Sequence, residues 1–458
     1  MTTPATTGGG RSSRFRVPEF RHPAQVVVTA FAVAIAVGTV LLMLPVSRAG
    51  EGHAPFMVSL FTSTSAVCVT GLAVVDTPSY WSGFGEAVIL GLIQVGGFGI
   101  MTLASLLGLL VSRRMGLRSR LTAAAETKSI GIGDVRAVLL GVLRVTAVFE
   151  AATAVVLATR FLLGYDMSPG RALYHGVFHA VSAFNNAGFA LYSDSLMGYV
   201  TDPWVCLPIA IAVIFGGLGF PVLFELRRHL GRPHDWSRLT KLTVSMTGVL
   251  LVGGTIFVTA AEWSNPGTLG PLDPPGRLLA GFFHAVMPRT AGFNSLDLSK
   301  MHDDTLLGTV ILMFIGGGSA STAGGIKVTT FVVLFFVIWA EVRGEPAVNA
   351  FDRRIGSRVQ RQALTVALLG VAAVTGATLV IMELTRLPMI EVFFEVTSAF
   401  ATVGLSTGIT ADLPGGAQLL LVLMMFLGRL GPITLVSAIA LRERQRLYKL
   451  PEGRPIIG

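Results

Sequence analysis

The sequence predicts an all-α polytopic membrane protein made of four internal repeats. Three observations predict this fold class: a low content of charged residues, long apolar runs, and a motif that recurs four times. Only 13% of the 458 residues are Asp, Glu, Lys or Arg, and 52% are hydrophobic, whereas roughly 25% of the residues of an average soluble protein are charged. This composition argues against a soluble globular enzyme.

Long apolar runs supply the predicted membrane-spanning helices. Each reaches or approaches the roughly 20 residues that a helix needs to cross a bilayer. The runs are 26–44, 87–111, 137–163, 205–226 and 306–339. The first run lacks a small-residue cleavage site and is too long for the core of a signal peptide, so it is predicted to be the first span.

The basic residues indicate how the chain is oriented. Twenty-five of the 35 Lys and Arg residues fall in five places, which are the N-terminus, 113–136, 227–241, 343–361 and 442–454. The intervening loops are rich in carboxylates instead. The positive-inside rule then predicts a multi-pass protein of the cell membrane with both termini in the cytoplasm. A nucleic-acid partner is not expected, because no concentrated basic face with aromatic platforms is present.

A short apolar stretch recurs in each outer connection, and it is too short to span the bilayer. The four stretches are 55–66, 171–183, 277–287 and 389–399. Each is followed by a polar turn with glycine, a pattern typical of a re-entrant helix and loop. In every one a phenylalanine precedes a glycine by ten residues, and the four glycines are about 110 residues apart, which is the repeat length. These glycines are Gly71, Gly188, Gly292 and Gly404.

The repeats predict four helix–pore loop–helix units with pseudo-fourfold symmetry around one central pore. In each loop, backbone carbonyl oxygens directed at the axis would replace the hydration shell of a cation. Glycine is favoured there because carbonyls that point the same way require backbone angles that are costly for other residues. The short helices would direct their partly negative C-terminal ends to the same place. The competing interpretation is four unrelated turns at helix ends.

The units set the predicted boundaries along the chain. The segments are a cytoplasmic N-terminus at 1–23, a first unit at 24–120, a second at 121–236, a third with a broken inner helix at 237–357, a fourth at 358–443, and a cytoplasmic tail at 444–458.

Small residues recur in the second spanning helix of each unit, about 25 residues after the loop glycine. These motifs begin at Gly96, Gly216, Gly316 and Gly428. Close helix packing explains them, and so does an inner helix that lines or bends beside a pore. Both interpretations remain open.

The third inner helix is predicted to be interrupted. Residues 316–327 contain five glycines and three hydroxyl side chains, and each glycine costs a helix roughly 1 kcal/mol relative to alanine. Non-helical backbone at this depth is tolerated only inside protein or beside a water-filled cavity. The segment is therefore predicted to be an intramembrane loop beneath the carbonyls. A nucleotide-binding P-loop is not predicted, because the GxxxxGK[ST] spacing and the preceding strand are missing.

Two basic residues accompany this loop. Arg429 lies in the fourth inner helix, where a charge is costly and is usually functional or paired. It is predicted either to form a salt bridge with a carboxylate or to face the cavity and contact the loop. Lys327 is predicted to serve the loop or to extend to the cytoplasmic edge. Arg144 and Glu150 are six residues apart on one predicted helix and are assigned no function.

Catalysis, metal binding and disulfides are not expected. The histidines His175, His179 and His284 fall in or beside the short helices, where packing or hydrogen bonding is favoured over metal binding. HExxH, CxxC and nucleophile-elbow signatures are missing. Cys68 and Cys206 do not predict a disulfide framework. An alternating-access cation symporter remains the alternative class, but such proteins commonly contain inverted repeats, whereas these four units share one orientation.

At these motifs the chain resembles the superfamily of potassium transporters that includes the bacterial Ktr and Trk membrane subunits, fungal Trk and plant HKT proteins. The stretch TSTSAVCVTGLAVVDT at 62–77 is most similar to the first pore loop of the Ktr membrane subunits. The resemblance covers essentially the whole chain. A Trk-like potassium or sodium/potassium translocating subunit is the alternative within it.

The resemblance implies potassium (K+) uptake, with Na+ as a possible activator, through a homodimer of eight-span subunits that each contain a pore. It also implies a cytoplasmic ring of RCK-type regulatory subunits, in which ATP or ADP binds to the partner and not to this chain. The basic segments 113–120, 227–241 and 353–361 are candidate contacts for that ring. Membrane lipids with anionic headgroups explain the same charges.

The resemblance also implies the site residues. The selectivity filter, whose backbone carbonyls would bind K+, would consist of Val69, Thr70, Gly71, Asn186, Ala187, Gly188, Thr290, Ala291, Gly292, Thr402, Val403 and Gly404. The gate would consist of Gly316, Gly317, Gly318, Ser319, Ala320, Ser321, Thr322, Ala323, Gly324, Gly325, Lys327 and Arg429.

Overall fold

The computed structural model describes residues 23–114, 135–350 and 353–431, which are mostly helical. One short antiparallel ladder joins Asn349–Ala350 to Arg353–Arg354. The tail at 444–458, residues 1–22 of the predicted N-terminus and most of the basic segment 113–136 lie outside the described residues.

Each predicted unit contains an outer helix, a short helix and an inner helix. The outer helices are Pro23–Leu42, Val135–Gly164, Arg238–Glu262 and Ser357–Thr385. The short helices are Phe56–Val67, Pro169–Phe184, Pro274–Val286 and Met389–Ala401. The inner helices are Gly83–Arg114, Pro203–Leu218 with Phe220–His229, Asp303–Phe314 with Val328–Val342, and Gly415–Leu430. Brief turns of helix at Pro45–Ser47, Thr77–Tyr80, Met197–Tyr199, Pro233–Asp235, Leu298–Lys300 and Ile409–Asp412 complete the described segments.

The outer helices have the length and apolar composition of membrane-spanning helices. They are the four described helices long and apolar enough to cross a bilayer unaided, and the bent pair Pro203–Leu218 and Phe220–His229 passes the same test only when its two helices are taken together. No more than a third of the most apolar stretch of each outer helix is buried. Exposed apolar faces of this length are expected only in contact with lipid.

The apolar run 205–226 is not one continuous helix, contrary to the sequence prediction. The chain bends by 105° between Leu218 and Phe220. Gly219 lies between them with a φ of 94°, and a Cβ atom there would overlap the carbonyl oxygen of Ser319. The break therefore depends on a segment about a hundred residues downstream, which local apolar character does not reveal.

The short helices begin where proline allows a helix to start. Pro55 and Pro388 immediately precede the first and fourth short helices, whereas Pro169 and Pro274 are the first residues of the second and third. Proline is favoured at the start of a helix because its φ is already helical and its missing N–H group would have no partner there. This recurrence marks the four starts in the sequence.

The small residues of the inner helices pack directly on the short helices. A Cβ atom on Gly96, Gly216 or Gly428 would overlap the carbonyl oxygen of Val67, Phe184 or Phe400, respectively. Each of these carbonyls belongs to the last turn of the short helix in the same unit. Close packing thus accounts for three of the four motifs, and the second motif is also followed by the bend at Gly219.

We predict that Gly428→Ala destabilises the protein. The added methyl group would overlap the Phe400 carbonyl, and overpacking of this kind costs about 1–3 kcal/mol. Thermal unfolding in detergent would show a lower midpoint. Gly376→Ala is the matched control, because a Cβ atom at Gly376 meets nothing within 4 Å. Equal midpoints for the two variants would contradict the packing described here.

Candidate functional site

The four glycine loops have the same unusual backbone. In each loop the glycine and the residue two positions before it both have positive φ angles, a region that residues with side chains adopt only at a cost. The non-glycine positions are Val69 at 56°, Asn186 at 60°, Thr290 at 69° and Thr402 at 51°. The glycines are Gly71 at 94°, Gly188 at 73°, Gly292 at 75° and Gly404 at 94°. The four loops therefore share one backbone conformation.

The four loops meet in a closed ring. A Cβ atom on each loop glycine would crowd the carbonyl oxygen that precedes the next loop's glycine. The pairs run in chain order, from Gly71 to Ala187, Gly188 to Ala291, Gly292 to Val403 and Gly404 to Thr70. The last pair returns to the first loop, so four segments of one chain surround one axis. We call these twelve residues, 69–71, 186–188, 290–292 and 402–404, the carbonyl ring.

The short helices hold the N–H groups of the carbonyl ring. The N–H groups of Thr70, Ala187 and Val403 donate to the carbonyls of Ser65, Ser182 and Ser398 at 2.7, 2.7 and 2.8 Å. In the third loop, the N–H group of Ala291 donates to the Met287 carbonyl at 2.9 Å instead. The N–H groups are thereby directed outward, toward the short helices.

Two serine hydroxyls of the short helices also accept hydrogen bonds from the N–H groups of the loop glycines. Ser65 Oγ accepts from the Gly71 N–H at 3.0 Å, and Ser398 Oγ accepts from the Gly404 N–H at 3.1 Å. In the third loop the corresponding residue is Val286, which has no hydroxyl. The carbonyl ring is thus similar in its four quarters without being identical.

The carbonyls that meet the neighbouring glycines have no donor among the described residues. The carbonyl oxygens of Thr70, Ala187, Ala291 and Val403 accept no hydrogen bond from the described residues, although all four residues are fully buried. A buried carbonyl normally has a partner, because leaving it unpaired is costly. Four such oxygens around one axis can replace water around a monovalent cation.

The predicted intramembrane loop lies between the two parts of the third inner helix. Its two ends are tied together, because the Gly316 N–H donates to the Ile326 carbonyl at 2.9 Å and the Val328 N–H donates to the Gly317 carbonyl at 3.0 Å. We call residues 315–327 the intramembrane loop.

The intramembrane loop binds to the break in the second inner helix. The Gly318 N–H donates to the Gly217 carbonyl at 2.8 Å, and the Thr322 N–H donates to the Gly216 carbonyl at 3.3 Å. In return, the Phe220 N–H donates to the Ala320 carbonyl at 3.2 Å. Groups that a broken helix leaves without partners are therefore paired by the loop.

Arg429 contacts the intramembrane loop, and the salt-bridge alternative is wrong for the described residues. Its Nη1 donates to the Thr322 carbonyl, and its Nη2 donates to the Gly96 carbonyl at 3.2 Å. No carboxylate in the described ranges forms an ion pair with it, although the side chain is only 4% exposed. Lys327, the last residue of the loop, donates from its Nζ to the Ala323 carbonyl within the loop.

The histidines form hydrogen bonds within the fold. His175 lies 3.1 Å from the Tyr192 hydroxyl, and His284 lies 3.1 Å from the Thr309 hydroxyl. His179 accepts from the Leu191 N–H at 3.3 Å. Both cysteines are free and buried. Within the described ranges no three His, Cys, Asp or Glu residues are grouped as metal ligands.

Sequence reasoning missed three polar groups behind the carbonyl ring. Glu150, which was assigned no function, accepts from Asn185 Nδ2 at 2.9 Å, directly before the ring residue Asn186. Glu395 accepts from the Thr410 hydroxyl beyond the fourth loop. Arg289 is 6% exposed and donates to Thr247 Oγ1 at 3.3 Å. A signal was present for Glu150, since a carboxylate within a span is functional by default.

Comparison with known proteins identifies similar sequences over nearly the whole chain. The family model described as TrkH, cation transport protein, matches residues 9–448. Ktr system potassium uptake protein B from Bacillus subtilis (strain 168) is 40% identical over 442 residues, which cover 95% of this chain and 97% of that protein. The protein of the same name from Vibrio alginolyticus is 37% identical over 436 residues, which cover 95% and 94% of the two chains. These relatives are transporters.

A solved structure matches the fold. The crystal structure of the potassium transporter TrkH from Vibrio parahaemolyticus aligns with a TM-score of 0.71 at 18% sequence identity, and the alignment covers 93% of this chain and 87% of that one. The predicted all-α membrane fold and the family resemblance are therefore confirmed.

We predict that Ser65→Ala destabilises the protein, because it removes the acceptor of the Gly71 N–H. Loss of a hydrogen bond of this kind costs about 1 kcal/mol, and thermal unfolding of the purified protein would measure the loss. Ser59→Ala is the matched control on the same short helix, since the Ser59 hydroxyl is buried and has no hydrogen-bond partner among the described atoms. A loss as large in Ser59→Ala would refute the assigned role of Ser65.

Proposed function

Because the chain belongs to the TrkH family of cation transport proteins, we propose that it takes up potassium by passing the ion through the carbonyl ring. The single observation that carries this proposal is the closed ring itself, in which each loop glycine packs on the carbonyl before the next glycine. Four buried oxygens without a donor from the described residues can replace the hydration shell of a cation. The potassium named for the two Ktr relatives supports the choice of ion.

The surrounding structure favours a cation over an anion. Each short helix ends immediately before its loop, at Val67, Phe184, Val286 and Ala401, and the C-terminal end of a helix carries a partial negative charge. The hydroxyls of Thr290 and Thr402, which have no partner among the described atoms, add oxygen to the site. One glycine per loop provides few ordered carbonyl layers, so discrimination between K+ and Na+ is expected to be modest.

The gate in this proposal is the intramembrane loop. It is buried, it binds to the second inner helix, and Arg429 holds it through the Thr322 carbonyl. A loop in this position blocks the route from the carbonyl ring to the cytoplasm until it moves. Its glycines give the loop the backbone freedom that such a movement requires.

Regulation and assembly complete the proposal. The protein acts as a homodimer in the cell membrane with both termini in the cytoplasm. An RCK-type ring that binds ATP or ADP moves the gate, and Na+ is an activator. Basic residues such as Arg227 and Arg228, at the cytoplasmic end of the Phe220–His229 helix, contact either that ring or anionic lipid headgroups.

Uptake of rubidium by cells that lack their own potassium uptake tests the function, and Gly71→Ser tests the carbonyl ring. We predict that Gly71→Ser lowers the potassium-to-sodium flux ratio by about tenfold, which corresponds to about 1.4 kcal/mol, because its side chain overlaps the Ala187 carbonyl. Gly408→Ser is the matched control, since Gly408 also has a positive φ but no neighbour within 4 Å. An unchanged potassium-to-sodium flux ratio in Gly71→Ser would show that the ring does not lie on the ion path. Rubidium uptake by cells with the protein that is no greater than uptake by cells without it would reject the proposed function.

Deleting 317–324 is predicted to raise cation flux into liposomes and to make it less dependent on an RCK-type subunit, because the barrier is removed while the carbonyl ring remains. Arg429→Ala is predicted to act in the same direction but more weakly, since the loop stays in place. Flux with and without the regulatory subunit is the measurement, and gel filtration checks folding. A well-folded deletion protein that conducts no better than the parent would argue that the loop is not the gate.

A further inference from the structure

We propose that the intramembrane loop sets the ion preference of the carbonyl ring, and that the Thr322 hydroxyl does this by positioning the side chain of Asn186. The inference rests on the proposed cation transport and deepens it. It makes Thr322 a positioning residue for selectivity, in addition to the contact that its backbone carbonyl makes with Arg429.

Asn186 is the member of the ring that can make such a link. Its equivalents in the other loops are Val69, Thr290 and Thr402, none of which has an amide. Asn186 Oδ1 accepts from the Thr322 hydroxyl at 2.9 Å, and its Nδ2 is 3.4 Å from the Arg289 carbonyl, to which it donates. One side chain therefore connects the intramembrane loop, the second ring loop and Arg289, the residue directly before the third.

The contact is buried and directional. Asn186 is 0% exposed and Thr322 is 1% exposed, so water does not replace the hydroxyl when it is removed. Without the hydroxyl, the buried Oδ1 atom loses its donor, a cost that drives the amide to rotate. Rotation of the amide would release the Arg289 carbonyl directly before Thr290.

A second contact joins the intramembrane loop to the opposite side of the ring. A Cβ atom on Gly324 would overlap the Thr402 hydroxyl, and one on Gly325 would lie 3.3 Å from Ala401 Cα. Because the ring closes in chain order, the second and fourth loops face each other across the axis. The intramembrane loop thus contacts two opposite quarters of the ring.

A plug that acted by obstruction alone would need no hydrogen bond to a ring side chain. The observed bond makes ring geometry depend on the position of the intramembrane loop. The ring with the loop in place therefore differs in ion preference from the ring after the loop has moved.

The test measures ion binding with the loop in place. The full-length protein in detergent is titrated with KCl and with NaCl, and the rise in unfolding temperature yields an apparent affinity for each ion. The variants are Thr322→Val, which removes the hydroxyl at constant size, Thr322→Ser, which keeps it, and Ser321→Ala. The Ser321 hydroxyl bonds within the loop, to the Gly318 carbonyl at 2.7 Å, and so controls for general disturbance of the loop.

We expect Thr322→Val to change the ratio of potassium to sodium affinity by about fivefold, as the loss of a hydrogen bond worth about 1 kcal/mol would, whereas Thr322→Ser and Ser321→Ala keep the parental ratio. If Thr322→Val does not fold, Thr322→Ala takes its place. An unchanged ratio in the valine variant, or an equal change in Ser321→Ala, overturns the inference. The inference is also overturned if the parent protein transports potassium into cells but its unfolding temperature in detergent does not rise with KCl. A parent protein that supports no uptake at all rejects the proposed function instead.

Discussion

The carbonyl ring places four buried oxygens without donors around one axis, and the surrounding structure can be understood as the means of keeping them there. Unpaired carbonyls would normally rotate toward a donor or toward water. Two of them are restrained here, because the N–H groups of the same peptides, those of Gly71 and Gly404, are held by serine hydroxyls of the short helices. The short helices are in turn held by the inner helices, which lack a side chain where they meet the last helical turn, as at Gly428.

Two interruptions of regular structure in this molecule compensate for each other. The second inner helix breaks at Gly219 and the third opens into the intramembrane loop, and each supplies the hydrogen-bond partners that the other lacks. Backbone groups without partners are very costly in an apolar interior. Neither interruption would therefore be stable alone. Movement of the intramembrane loop requires new partners, from water or protein, for the carbonyls of Gly216 and Gly217.

Much of this architecture could be predicted from the sequence, because it depends on periodic patterns. The spacing of phenylalanine and glycine identified the four loops, and the glycine-rich segment after Ile315 indicated the intramembrane loop. The bend at Gly219 could not be predicted, since its cause is a contact with Ser319 far along the chain. The role of Glu150 could not be predicted from its own helix, because its partner Asn185 belongs to another segment.

The closure of the ring within a single polypeptide also has an evolutionary consequence. In a tetramer of identical subunits, every substitution appears four times and alters all sides of the ion at once. Here each quarter is encoded by its own codons. The equivalent position in the four quarters can therefore mutate independently, and it is occupied by Val69, Asn186, Thr290 and Thr402. A gene of this design can alter one quarter of the carbonyl ring in a single mutational step, and can assign to that quarter a task that the other three do not share.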